Sequence, residues 1–130
     1  MEKQIEQVLE FYKAFKHPIA NAPKFMEMDR AIMRHRILDE EVVELFEASA
    51  QGNIVEVADA ITDCFYILIG TAIEYGIADK LPRLFDEVHR SNMSKLDDDG
   101  NPLYREDGKV LKSNNYNPPN LKDIVWDTHK

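Results

Sequence analysis

The chain has 130 residues, of which 44% are hydrophobic, so it fits one folded domain and is too apolar for a disordered protein. Its net charge of −8 disfavours non-specific nucleic-acid binding, which depends on lysine and arginine. The N-terminal stretch MEKQIEQVLEF is charged and lacks the apolar core of a signal peptide, so we expect a cytoplasmic protein. The longest apolar stretch, residues 54–75, carries four acids, whose cost in hydrocarbon argues against a membrane span.

The spacing of apolar residues predicts four helices, over about residues 5–15, 29–50, 54–75 and 79–93. Gly52 and Gly76 are expected to end the second and third helices, and Pro82 is tolerated in the first turn of the fourth. The third helix is apolar almost all round. We therefore expect it at the centre of a bundle or in a subunit interface.

The C-terminal part of the chain has a different character. The stretch KLDDDGNPLYREDGKVLKSNNYNPPNL contains glycine turn signals beside PLYRE and KVLK, which predict a β-hairpin followed by an extended arm. The predicted fold class is all-α. It comprises a four- to five-helix bundle over residues 1–95 and a short β-hairpin with an arm over residues 96–130, within one domain of residues 1–130.

An unbalanced run of acids lies in the middle of the chain. Between Ile37 and Asp79 there are ten aspartates and glutamates and no lysine, arginine or histidine. An ordinary solvated helix mixes the two signs, because opposite charges four residues apart support each other and like charges repel. The segment gives up that support, which indicates that something other than a basic side chain neutralises it.

The acids fall on one face of each helix: Glu41 and Glu44 on the second, and Glu56, Asp59 and Asp63 on the third. A short turn joins the two helices, so they must be antiparallel neighbours and both faces can meet in one cleft. Each carboxylate pair about 5 Å apart repels by roughly 3 kcal/mol at an effective dielectric constant near 20. Oxygen ligands of this kind suit Mg²⁺ first and Mn²⁺ second. The alternative is that the acids point outward as a solvated surface.

The register of the hairpin leaves two candidates for one ligand. Counted from the predicted turn, Glu44 lies level with Asp59. Glu41 lies level with Asp63 in the same way, whereas Glu56 lies nearer the turn. Asp63 therefore competes with Glu56 for the metal ion.

The motifs EVVE (41–44) and EVAD (56–59) resemble the ExxE…ExxD signature of all-α nucleoside triphosphate pyrophosphohydrolases. That group includes MazG, the dimeric dUTPases and phosphoribosyl-ATP pyrophosphohydrolase. The chain is also similar to one branch of the group in DxxYxxxGTAxxxGI, in VHRSNMSK and in the hairpin GKVLK…PP, so that the resemblance covers about residues 38–119.

The resemblance implies hydrolysis of a nucleoside triphosphate between its α and β phosphates, giving a monophosphate and pyrophosphate. It also implies that Mg²⁺ is held by four carboxylates, those of Glu41, Glu44, Glu56 and Asp59. Glu44 then counts as a catalytic residue as well, and Glu40 is a candidate for orienting or deprotonating the attacking water, unless it is only an exposed surface acid. Members of the group are homodimers or dimers of dimers, which we also expect here.

Three basic or amide side chains are candidates for binding the substrate phosphates, which need donors as well as a metal ion. Asn92 and Lys95 lie where the end of the fourth helix turns basic, and Arg34 precedes the acidic run, although surface placement of Arg34 is an alternative. A dNTP is the main expected substrate and phosphoribosyl-ATP is the alternative. A non-catalytic helical assembly module, whose acids bind a divalent ion for stability, is the alternative from another class.

Overall fold

The computed structural model describes residues 1–127 and is mostly helical. Its described elements are the helices α1 (Glu2–Ala14), α2 (Met28–Gln51), α3 (Ile54–Tyr75), α4 (Leu81–Met93) and α5 (Lys122–Val125), a 3₁₀ turn (Ala78–Lys80), and the strands β1 (Leu103–Tyr104) and β2 (Val110–Leu111). β1 and β2 form a two-stranded antiparallel hairpin in which Leu103 is paired with Leu111. The prediction of a helical fold with a short C-terminal β-hairpin is confirmed.

The chain forms two compact units, which divide between Asp79 and Lys80. The first unit contains α1, α2 and α3, and the second contains α4, the β-hairpin and α5. α4 thus groups with the C-terminal segment. The single domain of residues 1–130, with its helices over residues 1–95, stays a prediction.

The long hairpin of α2 and α3 is the main feature of the first unit. Gly52 ends α2 in the left-handed region, with φ of 68°, where a residue without Cβ carries little strain. Asn53 then caps α3, because its side-chain oxygen accepts a hydrogen bond of 3.2 Å from the backbone N–H of Glu56. Two residues therefore reverse the chain, and the helices run antiparallel from this turn.

The apolar core of the first unit is small. Its buried hydrophobic residues are Val8, Tyr12, Ala48, Ala60, Ile69, Ala72, Ile73 and Ala78. Large apolar side chains of α2 and α3 remain exposed instead, with exposed fractions of 74% for Phe46 and 76% for Ile54. α3 is thus buried at its C-terminal end and open to solvent over much of its N-terminal half.

A buried ion-pair network joins the three helices of the first unit, and we define it as Tyr12, Arg30, Arg34 and Glu74. Glu74 of α3 is 3% exposed, and its carboxylate accepts hydrogen bonds from the Tyr12 hydroxyl and from Arg30 Nε at 2.7 Å. Burial would raise the pKa of Glu74, but the hydrogen bonds from Arg30 and Tyr12 and the nearby arginine charges outweigh it and lower that pKa. Gly70 lets Tyr12 and Arg34 approach, because a Cβ at Gly70 would lie 2.6 Å from the Tyr12 hydroxyl.

Arg34 is therefore not a surface residue. Its Nη2 donates to the backbone carbonyl of Ile67 at 2.7 Å, its Nε donates to Thr71 Oγ1 at 3.1 Å, and the same nitrogen lies 3.5 Å from the Glu74 carboxylate. The surface placement considered from the sequence is wrong, because the carboxylate of Glu74 gives this arginine a partner inside the unit. A phosphate contact by Arg34 would have to displace these bonds.

The second unit is held together by polar contacts between α4 and the C-terminal arm. Ser91 is 2% exposed and donates a hydrogen bond of 2.8 Å to the backbone carbonyl of Asn117. Ser94 accepts the Asn117 backbone N–H at 2.8 Å. Arg90 forms a two-point ion pair with Glu87, the shorter contact being 2.7 Å, and also reaches Asn117. Arg90, Ser91 and Ser94 thus anchor the arm.

None of the helices within residues 1–127 combines the length and the apolar character that crossing a membrane requires.

Candidate metal and active site

The α2–α3 hairpin brings four carboxylates into one electrostatic group. Glu41 lies eleven residues before Gly52, and Asp63 lies eleven residues after it, so the two are level across the hairpin. The charges that raise the pKa of Glu41 come from Glu44, Asp63 and Asp59, in that order. We call Glu41, Glu44, Asp59 and Asp63 the acidic cluster.

Glu41 is the most strongly perturbed carboxyl group of the cluster. Its Oε2 is shielded from solvent and has no hydrogen-bond partner among the described residues. Burial raises its pKa to about 7, and the neighbouring carboxyl group of Glu44 and the charges of Asp63 and Asp59 add to this shift. Burial also raises the pKa of Asp63, together with the charges of Asp59 and Glu44. Clusters of carboxyl groups with shifted pKa values are typical of functional sites.

Glu56 stands apart from the acidic cluster. It is exposed in the first turn of α3, and it is not among the charges that act on Glu41 or Asp63. The geometry of the hairpin therefore favours Asp63 over Glu56 as the neighbour of Glu41. The choice of metal ligands stays a prediction.

The donor atoms of the acidic cluster suit a hard cation, although their side chains are not yet arranged around one point. Its donors are carboxylate oxygens only, and the orphaned Oε2 of Glu41 is a buried acceptor without a donor. In the described residues, however, no group of three or more acidic, histidine or cysteine side chains is arranged to hold a metal ion as it stands. Because Glu44 and Asp59 are exposed, their side chains have room to turn toward Glu41.

Two further residues, Glu40 and Cys64, are the chain neighbours of Glu41 and Asp63. Glu40, the candidate for orienting water, is exposed on α2 next to Glu41. Cys64 is half-buried on α3, and burial with the charges of Glu41 and Asp63 raises the pKa of its thiol. The cysteine is therefore kept in its neutral form and is a poor nucleophile.

The two other phosphate-binding candidates lie in the second unit. Asn92 is exposed and Lys95 is half-buried, and neither side chain has a hydrogen bond or ion pair with a residue that the structure describes. Their neighbours Arg90, Ser91 and Ser94 are occupied by the arm, as described above. Asn92 and Lys95 therefore have donors available for a ligand.

The sequence reasoning missed the ion-pair network. Its signal was Glu74, an acid within a stretch of apolar residues near the end of α3, which indicates a buried partner of opposite charge. Arg30 and Arg34, four residues apart on one face of α2, could have supplied that partner.

Comparison with known proteins adds one match. The family model for phosphoribosyl-ATP pyrophosphohydrolase matches residues 8–92, which is more than half of the chain and includes the acidic cluster. A search of curated proteins found no match. The family lies in the superfamily of all-α nucleoside triphosphate pyrophosphohydrolases, and its members act on nucleotide-like substrates. The chain belongs to the phosphoribosyl-ATP pyrophosphohydrolase family and is a pyrophosphohydrolase.

Proposed function

We propose that the protein hydrolyses phosphoribosyl-ATP between its α and β phosphates in the presence of Mg²⁺, giving phosphoribosyl-AMP and pyrophosphate. The family match favours this substrate over the dNTP that was the main expectation from the sequence. The observation that carries the proposal is the acidic cluster, in which the shielded Oε2 of Glu41 has no hydrogen-bond partner among the described residues. The family match makes a metal ion the partner that we propose for it.

Mg²⁺ is the cation that suits the cluster best. Glu41, Glu44, Asp59 and Asp63 offer only hard oxygen donors, and Mn²⁺ is the second choice. Glu56 is an alternative fourth ligand, because one helical turn separates it from Asp59. When bound, the ion supplies positive charge against the triphosphate oxygens and the charge that develops at the α-phosphorus.

The protein side chains supply orientation and proton transfer. Glu40 is exposed beside Glu41, so its carboxylate can accept the proton of the water that attacks the α-phosphorus. Asn92 and Lys95 offer free donors, and in our proposal they bind the substrate phosphates. Arg34 is left out of this role, because its guanidinium is already bonded to Ile67, Thr71 and Glu74.

The active form in our proposal is a homodimer or a dimer of dimers. The apolar side chains of α2 and α3 near their turn are largely exposed in one chain, with 74% for Phe46, 76% for Ile54 and 71% for Val55. Exposed apolar patches of this kind are typical of subunit interfaces. A second copy of the hairpin would bury them and enlarge the small core of the first unit.

The proposed activity is tested by measuring pyrophosphate release from phosphoribosyl-ATP and from a panel of dNTPs, with Mg²⁺ and with EDTA. We expect the highest kcat/KM with phosphoribosyl-ATP and no release with EDTA. Glu44→Gln should lose activity while remaining folded, whereas Glu47→Gln, an exposed change of equal charge on the same helix, should keep it.

Two results would contradict different parts of the proposal. A higher kcat/KM for a dNTP would overturn the choice of substrate and leave the reaction type standing. Full activity in EDTA, or in Glu44→Gln, would overturn the role of the acidic cluster.

A further inference from the structure

The ion-pair network closes the open end of the α2–α3 hairpin. Arg30 lies 22 residues before Gly52 and Glu74 lies 22 residues after it, so these partners are level across the two helices. The Gly52 turn closes the other end. The hairpin is therefore fastened at both ends.

The acidic cluster lies midway between the two fastenings. Glu41 is eleven residues from Gly52 and eleven from Arg30, and Asp63 is eleven from Gly52 and eleven from Glu74. At 1.5 Å per residue, each fastening is about 16 Å along the helix from the cluster. Like charges in the middle of the hairpin push α2 and α3 apart, and the two ends resist that push.

We propose that the ion-pair network is a positioning device for the acidic cluster: it holds α2 and α3 closed before a cation binds, so that Glu41 and Asp63 stay close enough to share it. This inference rests on the proposed metal-dependent function. The four residues of the network touch neither substrate nor metal in this scheme, and they act through the helices that carry the cluster.

The contacts of the network suit this role better than apolar packing would. Arg34 reaches α3 at two points four residues apart, Thr71 Oγ1 at 3.1 Å and the carbonyl of Ile67 at 2.7 Å. Arg30 adds a two-point contact to Glu74, at 2.7 and 3.2 Å. Buried ionic groups are best attested as devices that fix register, because a shifted helix would leave charges unpaired.

A triple variant tests the inference, with Tyr12→Phe, Arg34→Met and Glu74→Leu. It replaces the most deeply buried polar groups together, so neither Arg34 nor Glu74 is left as an unpaired buried charge, and such replacements by apolar residues of similar volume are often neutral for stability. Arg30 is kept, because its side chain is 29% exposed and can turn to solvent. Val8→Ala is the control, because Val8 is buried on α1 and makes none of the hydrogen bonds or ion pairs of the network, so its truncation lowers stability and leaves those bonds in place.

The first readout is the distance between α2 and α3 without metal. Spin labels are placed at the exposed positions Asp39 and Thr62 in a Cys64→Ala background, and labelled chains are diluted with unlabelled ones so that distances within one chain dominate. We expect a longer and broader distance distribution in the triple variant and an unchanged one in Val8→Ala. An unchanged distribution in the triple variant overturns the inference.

The second readout is the affinity for Mn²⁺ without substrate. We expect the triple variant to bind Mn²⁺ about tenfold more weakly, which is the lower end of the effect of residues that position metal ligands. Wild-type affinity despite a changed distance overturns the link to the cluster. If the unaltered protein binds no Mn²⁺, the proposed function fails, and the distances alone decide the inference.

A second variant serves if the triple variant does not fold. Arg34→Lys keeps the positive charge but lacks the planar fork that reaches Thr71 and Ile67 together. We expect a longer distance between α2 and α3 and a weaker affinity for Mn²⁺, with both changes smaller than in the triple variant. Unchanged distances in a folded Arg34→Lys protein overturn the inference.

Discussion

Replacing Glu41 by glutamine should stabilise the metal-free protein at neutral and alkaline pH while abolishing activity. Glu41 sits beside three other carboxylates, and its Oε2 has no donor among the described residues. Glutamine keeps the shape of the side chain and removes the charge. Its amide can donate a hydrogen bond to Glu44, which the ionised Glu41 cannot do.

The size of the effect follows from the raised pKa. In the unfolded chain Glu41 has a pKa near 4.5, and in the folded protein burial and the neighbouring acids raise it to about 7. Below pH 4.5 both states are protonated and the group does not change the free energy of unfolding. As the pH rises from 4.5 to 7, the unfolded state loses its proton first, and the folded state is progressively destabilised. At 1.36 kcal/mol per unit, discounted for partial exposure of the side chain, the loss is about 2 kcal/mol.

The assay is urea unfolding in EDTA at pH 4.5 and at pH 8, for the unaltered protein, Glu41→Gln and Glu47→Gln. We expect Glu41→Gln to match the unaltered protein at pH 4.5 and to exceed it by about 2 kcal/mol at pH 8. Glu47→Gln is an exposed change of equal charge on the same helix, and it should shift the free energy by less than about 0.5 kcal/mol. Added Mg²⁺ should stabilise the unaltered protein more than Glu41→Gln.

The reasoning is refuted if Glu41→Gln is no more stable than the unaltered protein at pH 8, or if both glutamine variants gain equally. The first result would mean that the cluster carries no net repulsion. The second would mean that the gain reflects the overall charge of −8 rather than these four carboxylates.

Three further predictions test other parts of the fold. Gly76→Ala should lower the free energy of unfolding by more than about 2 kcal/mol, because Gly76 has φ of 75° and an added Cβ would press against the backbone carbonyl of Ala22; urea unfolding measures this. Ser91→Ala should cost about 1 kcal/mol and expose the arm to limited proteolysis, because it removes the hydrogen bond of 2.8 Å to the Asn117 carbonyl and leaves only the longer one of 3.3 Å from Ser94. Phe46→Glu should shift sedimentation toward the monomer, because it charges the proposed subunit interface, and an unchanged oligomer would contradict that interface.

Local patterns in the sequence were enough to determine the helices and the hairpin. Apolar spacing with a period near 3.6 marks α1 to α4, and Gly52 and Gly76 end α2 and α3 because each adopts a left-handed conformation at the helix end. These are short-range effects, which depend on residues within one or two turns. The start of α4 was less clear, since a 3₁₀ turn over Ala78–Lys80 precedes it.

The acids of the candidate site could be chosen from the sequence because a two-residue turn leaves α2 and α3 little freedom of register. Symmetry about Gly52 already places Glu41 opposite Asp63. Which of the acids lose solvent could not be read from spacing. That depends on how the helices rotate about their axes, and the structure sets Glu41 and Asp63 inward and leaves Glu56 exposed.

By itself the sequence determined that two antiparallel acidic helices face each other, because helix periodicity and a glycine turn act locally. Only the tertiary structure decided that Arg34 and Glu74 are buried and paired with each other. They are 40 residues apart in the chain and carry opposite charges, and burial makes each the partner that the other requires. The arginine that the sequence offered to a phosphate is bound inside the first unit for that reason.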